Sequence, residues 1–218
     1  MWQRVRGITG RSSRVQNRRM RRASRLRRGL TLDDCRKFRE QHVPVLAKAY
    51  EALDVLYAPL NVCGRLKTAE SLHEKMTGRW RGVKLAEATD VVGCRVTLDS
   101  LDELHAAVEK LKKSQKVTEI SDYITQPKGD IRYRSIHCTI EVEGRPVEVQ
   151  FRTPHQTRWA DWSHETLYKD HSGKKIPDQA WDYAREMSDY YAAVDSGKKD
   201  ATPPECTEPI RTTVGCLE

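Results

Sequence analysis

The chain has 218 residues, 38% of them apolar and 32% charged, which is enough length for one domain with a true core and a composition that is polar but globular. No apolar run approaches the roughly 18 residues of a membrane-spanning helix, and no secretory h-region lies near the start, so a cytoplasmic protein with no membrane partner is expected. The net charge of +8 is uneven: residues 1–29 hold eleven of the 39 basic residues and no Asp or Glu, leaving 28 basic against 31 acidic residues elsewhere. The basicity belongs to a tail.

Residues 1–30 are too rich in like charge and too poor in apolar side chains to pack, and read as a disordered Arg-rich arm. Three readings of it stay open: a contact to tRNA, another RNA or another polyanion through phosphate electrostatics; a solvated tail with no partner, or a misplaced start with Met20 as the true one; or a transit peptide. Order is expected from Thr31, a helix N-cap followed by Asp33 and Asp34, with one helix running to about Leu56. A second helix is expected over 67–78, a strand over 90–98, and a helix behind the capping box Ser100/Glu103. A short strand near 116–125 and a polar loop at 127–132 follow. Ile136, Cys138, Ile140 and Val142, then Val147, Val149 and Phe151, alternate with polar residues about an E-G-R-P turn, the pattern of a β-hairpin with one buried face. Helices over 155–169 and 178–194 complete an ordered region of residues 31–195, an α/β (α+β) domain around a mixed sheet. Residues 196–218, with three prolines and no periodicity, read as a disordered tail. Six scattered cysteines without a C-x-x-C pair argue against a disulfide scaffold or a cysteine-rich zinc site and fit a reducing compartment.

The polar residues left over suggest chemistry. Glu148 and Gln150 alternate away from the buried face of their strand, as does His137 on its hairpin partner, and Asp90 opens a neighbouring strand. Two carboxylates on one sheet suit Mg²⁺, which takes hard oxygen ligands and shares them with water and phosphate. Lys67, Ser71 and Lys75 are spaced four apart behind Arg65, giving a cationic face without an acidic partner. Lys128 and Arg134 flank Tyr133, and an aromatic among cations suits a nucleobase stacked above phosphates. Taken singly, each has a plain reading as a solvated strand face, a solvated helix face or a turn tyrosine. Together they describe metal-assisted phosphoryl transfer.

The segments R-L-K-T-A-E-S-L-H-E-K-M (65–76), D-V-V-G-C-R-V (90–96), D-Y-I-T-Q-P-K…Y-R-S-I-H (122–137), V-E-V-Q-F-R-T (147–153) and W-A-D-W-S-H-E-T-L-Y-K (159–169) resemble, in order and spacing, the RelA/SpoT alarmone-synthetase domain. The resemblance implies a nucleotidyltransferase-like mixed sheet flanked by helices. It also implies transfer of pyrophosphate from ATP to the ribose 3′-hydroxyl of GDP or GTP. By the same resemblance Arg65, Lys67, Ser71 and Lys75 form the ATP-phosphate cradle, and Asp90 and Glu148 hold Mg²⁺, with Glu148 activating the hydroxyl. Tyr133 stacks on the acceptor base, Lys128, Arg134 and His137 surround its phosphates, and Gln150 and His164 lie near the nucleotide.

The family's loop has the form P-K-x-x-G-Y, whereas this chain has P-K-G-D-I-R-Y, one residue longer and with Arg132 in the glycine's place. That departure bears on the acceptor more than on the donor. None of the seven histidines is followed by Asp, so the resemblance is to a stand-alone synthetase without a hydrolase motif. Two alternatives remain at this stage. One is a toxic small synthetase acting on the tRNA 3′ end or an adenine nucleotide, which implies a cognate antitoxin; the other is a nucleotide- or RNA-binding module without turnover. Small synthetases of this kind also suggest a homo-oligomer.

Overall fold

The computed structural model describes residues 29–168 and 176–217. The expected Arg-rich arm, apart from Gly29 and Leu30, lies outside the described residues. Helix α1 (Leu32–Glu40) starts at Thr31, whose hydroxyl accepts from the Asp34 amide while the Asp34 carboxylate accepts from the Thr31 amide at 3.1 Å. This reciprocal box satisfies amide groups that a helix start leaves without partners. The single helix expected to Leu56 is in fact two, because α2 (Val43–Tyr57) restarts after His42 with Pro44 in its first turn. Proline has no amide hydrogen and cannot continue the ladder from α1.

His42 is buried at this junction, with Nδ1 2.7 Å from the Phe38 carbonyl and Nε2 3.2 Å from the Arg145 guanidinium. The carbonyl requires Nδ1–H, so Nε2 is the acceptor and the ring is neutral. Burial is the main force pushing its pKa below the ordinary 6.5; Arg145 adds to it and the Phe38 carbonyl opposes it. The unfolded chain therefore binds a proton here that the folded chain refuses. Stability is complete above about pH 6.5 and is lost as pH falls below it. Thermal melts from pH 7.5 to 5.5 should show a falling Tm, with a shallower slope in His42→Gln.

Five strands form one sheet: β1 (Val62–Leu66), β2 (Val92–Thr97), β3 (Val117–Asp122), β4 (Ile136–Val142) and β5 (Arg145–Arg152), in the order β1-β2-β5-β4-β3. β2 and β5 run parallel, and the other neighbours are antiparallel. The edge strand β1 was not anticipated; at five residues, with Gly64 and Arg65 inside it, its alternation is too short to register. Between β1 and β2 lies α3 (Ala69–Thr77), which ends at Gly78 as expected, and after β2 comes α4 (Leu101–Ser114), capped by Ser100. Glu103 completes that start from one residue further out, accepting from the Asp99 amide at 3.1 Å.

Alternation sorts the sheet into two faces. Val92, Cys94, Val96, Ile136, Cys138, Ile140, Val147, Val149 and Phe151 pack against Leu53 and Tyr57 of α2 and Leu104, Val108 and Leu111 of α4. Each large side chain buried here contributes about 1.5–3 kcal/mol. A second cluster joins α5 (Pro154–Ser163), a π-turn at His164–Tyr168 and α6 (Asp178–Asp195). A third joins α1 and α3 through Cys35, Ala69, Leu72, Met76 and Val91.

The expected C-terminal tail needs correcting. Residues 208–213 form α7 (Glu208–Thr213), and Ile210 and Val214 are buried in the second cluster. The Trp162 indole donates to the Val214 carbonyl at 3.2 Å, and the Leu217 amide donates to the Tyr183 hydroxyl at 3.1 Å. Cys206 and Cys216 are joined by one disulfide, a bridge that the sequence did not signal, while Cys35, Cys63, Cys94 and Cys138 are free. With the partners ten positions apart in sequence, loop entropy makes this bridge worth about 2–3 kcal/mol. Reduction should lower the Tm by about 5–10 °C in a melt with and without dithiol. Among the described residues no helix is long and apolar enough to cross a membrane.

Candidate active site

The face of the sheet opposite α2 and α4 carries two rows of polar residues set by strand register. One row runs Arg65, Gly93, Glu148, Thr139, Glu119; the next runs Cys63, Arg95, Gln150, His137, Ser121. Gly93 leaves the centre bare: a Cβ there would lie 3.8 Å from the Arg65 side chain and 4.0 Å from the Glu148 carbonyl. A cleft of about 410 Å³ opens over these rows, lined by Asp90, Glu148, His137, Lys75, Lys128 and Tyr123 among others.

Asp90 stands at one wall, just before β2. Its Oδ2 accepts from Lys67 Nζ at 3.0 Å and from Lys75 Nζ at 2.5 Å. Burial alone would raise the Asp90 pKa, but bonds from Lys75 and then Lys67, with their charges, hold it below the ordinary value. Lys75 is lowered by its own burial, which the Asp90 contact opposes, and its ammonium lies 3.6 Å from the Trp80 ring centre. The second oxygen, Oδ1, is buried and meets no hydrogen-bond donor among the described residues. A buried carboxylate oxygen left open in this way fits a cation ligand.

Glu148 stands on the sheet floor. Burial would raise its carboxyl too, yet His137, then Gln150 and the charge of Arg65, bring it down to about 2. His137 Nδ1 lies 3.0 Å from Oε1, and Gln150 Nε2 donates to Oε2 at 2.6 Å. The group is ionised at neutral pH and only partly exposed, its side chain at 27%, with Gln150 beside it buried. Among the described residues no group of three or more His, Cys, Asp or Glu is placed to hold a metal. A cation here would share Asp90 and Glu148 with a phosphate ligand.

The other expected residues divide. Lys67 and Lys75 meet at Asp90, so this cationic face does have an acidic partner. Ser71 sits one turn inside α3, its amide donating to Thr68 Oγ1 at 3.1 Å. Arg65 lies with Arg95 on a second cavity of about 150 Å³ over Gly64 and Gly93. Lys128 lines the main cleft, its ammonium 4.7 Å from the Tyr123 ring centre. Tyr133 lies behind that wall, packed against Trp159 at 6.3 Å between ring centres, with its hydroxyl 2.8 Å from His137 Nε2. Tyr123 is the tyrosine lining the cleft.

Two residues lie elsewhere. Arg134 turns away from the cleft, donating to the Ile124 carbonyl at 3.1 Å and to Asp189 of α6 at 3.0 Å, because α6 covers that side of the loop. His164 begins the π-turn with its side chain 71% exposed and Nδ1 3.8 Å from the Glu165 carboxylate. Arg132, where the resemblance leads one to expect glycine, has φ of 58°, a left-handed conformation that is costly for a residue carrying a Cβ. It is held there by an ion pair to Asp189 and by the Ser188 hydroxyl, which donates to its carbonyl. Asp189 thus grips the residues on both sides of Tyr133.

Sequence reasoning passed over Arg95, Tyr123 and Arg152. The signal was present: Arg95 follows Gly93 by two, and Arg152 follows Gln150 by two, so strand alternation puts both on the site face. A mixed sheet with paired carboxylates, an open buried oxygen and flanking lysines defines a domain suited to polyphosphate and a divalent cation.

The chain belongs to the RelA/SpoT family: residues 64–173 match the region found in RelA / SpoT proteins. It is 30% identical over 165 residues to the bifunctional (p)ppGpp synthase/hydrolase RelA of Mycobacterium tuberculosis, covering 66% of this chain and 22% of that one. The chain spans about a fifth of the length of the curated relatives it matches. Its fold is similar to a GTP pyrophosphokinase family protein from Streptococcus pneumoniae (TM-score 0.65, 25% identity, 77% of this chain and 92% of that one). It is also similar to the small alarmone synthetase 2 of Bacillus subtilis (TM-score 0.62, 25% identity, 72% and 94% covered).

Proposed function

We propose that the chain is a (p)ppGpp synthetase that moves the β,γ-pyrophosphoryl group of ATP to the 3′-hydroxyl of GDP or GTP and releases AMP. The observation that supports it most is the pairing of Asp90, with its open buried oxygen, and ionised Glu148 on one cleft of a RelA/SpoT domain. In the reaction an O3′–Pβ bond forms and the Pα–O–Pβ bridge breaks, the bridging oxygen leaving with AMP. Glu148 takes the hydroxyl proton. Lys67, Lys75 and Arg65 offset charge on the donor phosphates, and Ser71 offers a hydroxyl at the start of α3. Arg95, on the second cavity beside Gly93, suits the flat face of the donor base. Tyr123, Lys128 and His137 line the acceptor end, and Tyr133, gripped by Asp189 through its neighbours, sets the position of His137.

Asp90 Oδ1 and Glu148 would hold Mg²⁺. When bound, the ion supplies charge neutralisation at the phosphates. The test is incubation with γ-labelled ATP and Mg²⁺, offering GDP, GTP, ATP or bulk tRNA. Label on GDP or GTP supports the proposal. Label on tRNA or ATP alone would move the chain to the toxic class, and bound nucleotide without transfer would make it a binding module.

A further inference from the structure

Around Glu148 the hydrogen bonds close into a ring. Arg152 Nη2 donates to the Tyr133 hydroxyl oxygen at 2.5 Å and to Gln150 Oε1 at 2.8 Å. The Tyr133 hydroxyl meets His137 Nε2 at 2.8 Å, and His137 Nδ1 meets Glu148 Oε1 at 3.0 Å. Gln150 Nε2 reaches Glu148 Oε2 at 2.6 Å. Donor and acceptor roles follow from the two ends, since a guanidinium only donates and a carboxylate only accepts. With His137 neutral, Tyr133 passes its hydrogen to Nε2 and His137 carries its own on Nδ1. Every bond in the ring points from Arg152 toward Glu148.

We propose that Arg152 is the positioning residue of this site: from one nitrogen it anchors two hydrogen-bond arms, through Gln150 and through Tyr133 and His137, that fix both oxygens of Glu148. The inference rests on the reading of Glu148 as the base. Arg152 does not touch the cleft and is 5% exposed. Its Nε and Nη1 are buried and meet no acceptor among the described residues. A guanidinium kept for stability alone would have those donors satisfied. The one nitrogen that is satisfied is the one facing both arms.

With both oxygens held, the carboxylate cannot rotate, and its remaining lone pairs stay fixed relative to the sheet. Hydrogen bonds of this kind matter to a transferred proton through angle as much as distance. Losing the anchor leaves Tyr133 free to reverse its hydroxyl, His137 free to exchange tautomers and Gln150 free to flip.

The test compares Arg152→Met and Arg152→Lys. Arg152→Met should lower kcat about 30-fold, with KM for ATP within about twofold and a Tm unchanged or higher. Arg152→Lys, whose single Nζ can serve both acceptors, should recover at least tenfold over Arg152→Met. In a Glu148→Asp background the Arg152→Met effect should shrink to about threefold or less, because the shortened carboxylate has already left the two arms. The ¹⁵N signals of His137 should report one Nδ1–H tautomer in the wild type and a mixture in Arg152→Met. A Tm that falls in step with kcat, an equal loss in the Glu148→Asp background, or an unchanged His137 signal would each overturn the proposal. Full kcat in Glu148→Gln would instead overturn the reading of Glu148 as base, while leaving the His137 signal responsive to Arg152.

Discussion

Glu148→Gln is expected to lower kcat by on the order of 10³-fold while leaving the fold intact and ATP still bound. The side chains are nearly isosteric, so the floor of the cleft keeps its shape. What changes is the chemistry at two atoms. A neutral amide cannot take the hydroxyl proton, which general-base catalysis values at roughly 10²–10⁴-fold. Half of the amide must also be a donor. With its oxygen set toward His137 Nδ1, its NH₂ faces Gln150 Nε2, a donor against a donor, and Gln150 must flip. That flip turns its NH₂ toward Arg152 Nη2, so the mismatch travels along the arm. Initial rates with GDP and GTP, beside equilibrium binding of a non-hydrolysable ATP analogue, measure the two effects separately. Wild-type turnover in this variant removes Glu148 from the role of base.

Asp90→Asn should act on both chemistry and stability. The carboxylate is the shared counter-charge of Lys67 and Lys75, and Lys75 is only 11% exposed. Removing it leaves two cations facing each other and a neutral oxygen where the ion would bind. Transfer should fall on the order of 10²–10³-fold, and added Mg²⁺ should not restore it. An unpaired buried charge costs a few kcal/mol, here discounted by water at Lys67 to about 1–3 kcal/mol. In a chain of this size that lowers the Tm by about 2–10 °C. A melt and a Mg²⁺ titration of initial rate check both. An unchanged Tm would mean that the two lysines find water as readily as they find Asp90.

Much of this was legible from residue order because strands and caps are local. The β4–β5 hairpin follows from alternation, and α4 from Ser100 and its apolar spacing. The shared face of Glu148, Gln150 and His137 follows from period two. What was missed depends on partners distant in the chain. Arg134 is claimed by Asp189, 55 residues away, and nothing near 134 signals it. The tail's two anchors, Ile210 and Val214, make sense only against Trp162 and Tyr183. The break between α1 and α2 was visible in Pro44, but the apolar spacing on either side stays in phase and hides it. Arg95 and Arg152 needed only the alternation already in use. They were overlooked because a motif was read for its acidic members.

The cleft's walls rest on separate clusters: Asp90 and Lys75 adjoin the one formed by α1 and α3, while Tyr133 and Trp159 belong to the one formed by α5 and α6. The two are joined through the sheet, so a nucleotide bridging them would tie the clusters together at a second place. Its binding energy would then appear as slowed amide exchange at both ends of the molecule, reaching as far as the disulfide-closed C-terminus. At a hundredfold excess over Kd this linkage is worth about 2.7 kcal/mol, comparable to the disulfide itself. A bound nucleotide would, in that sense, be a cross-brace between the two clusters.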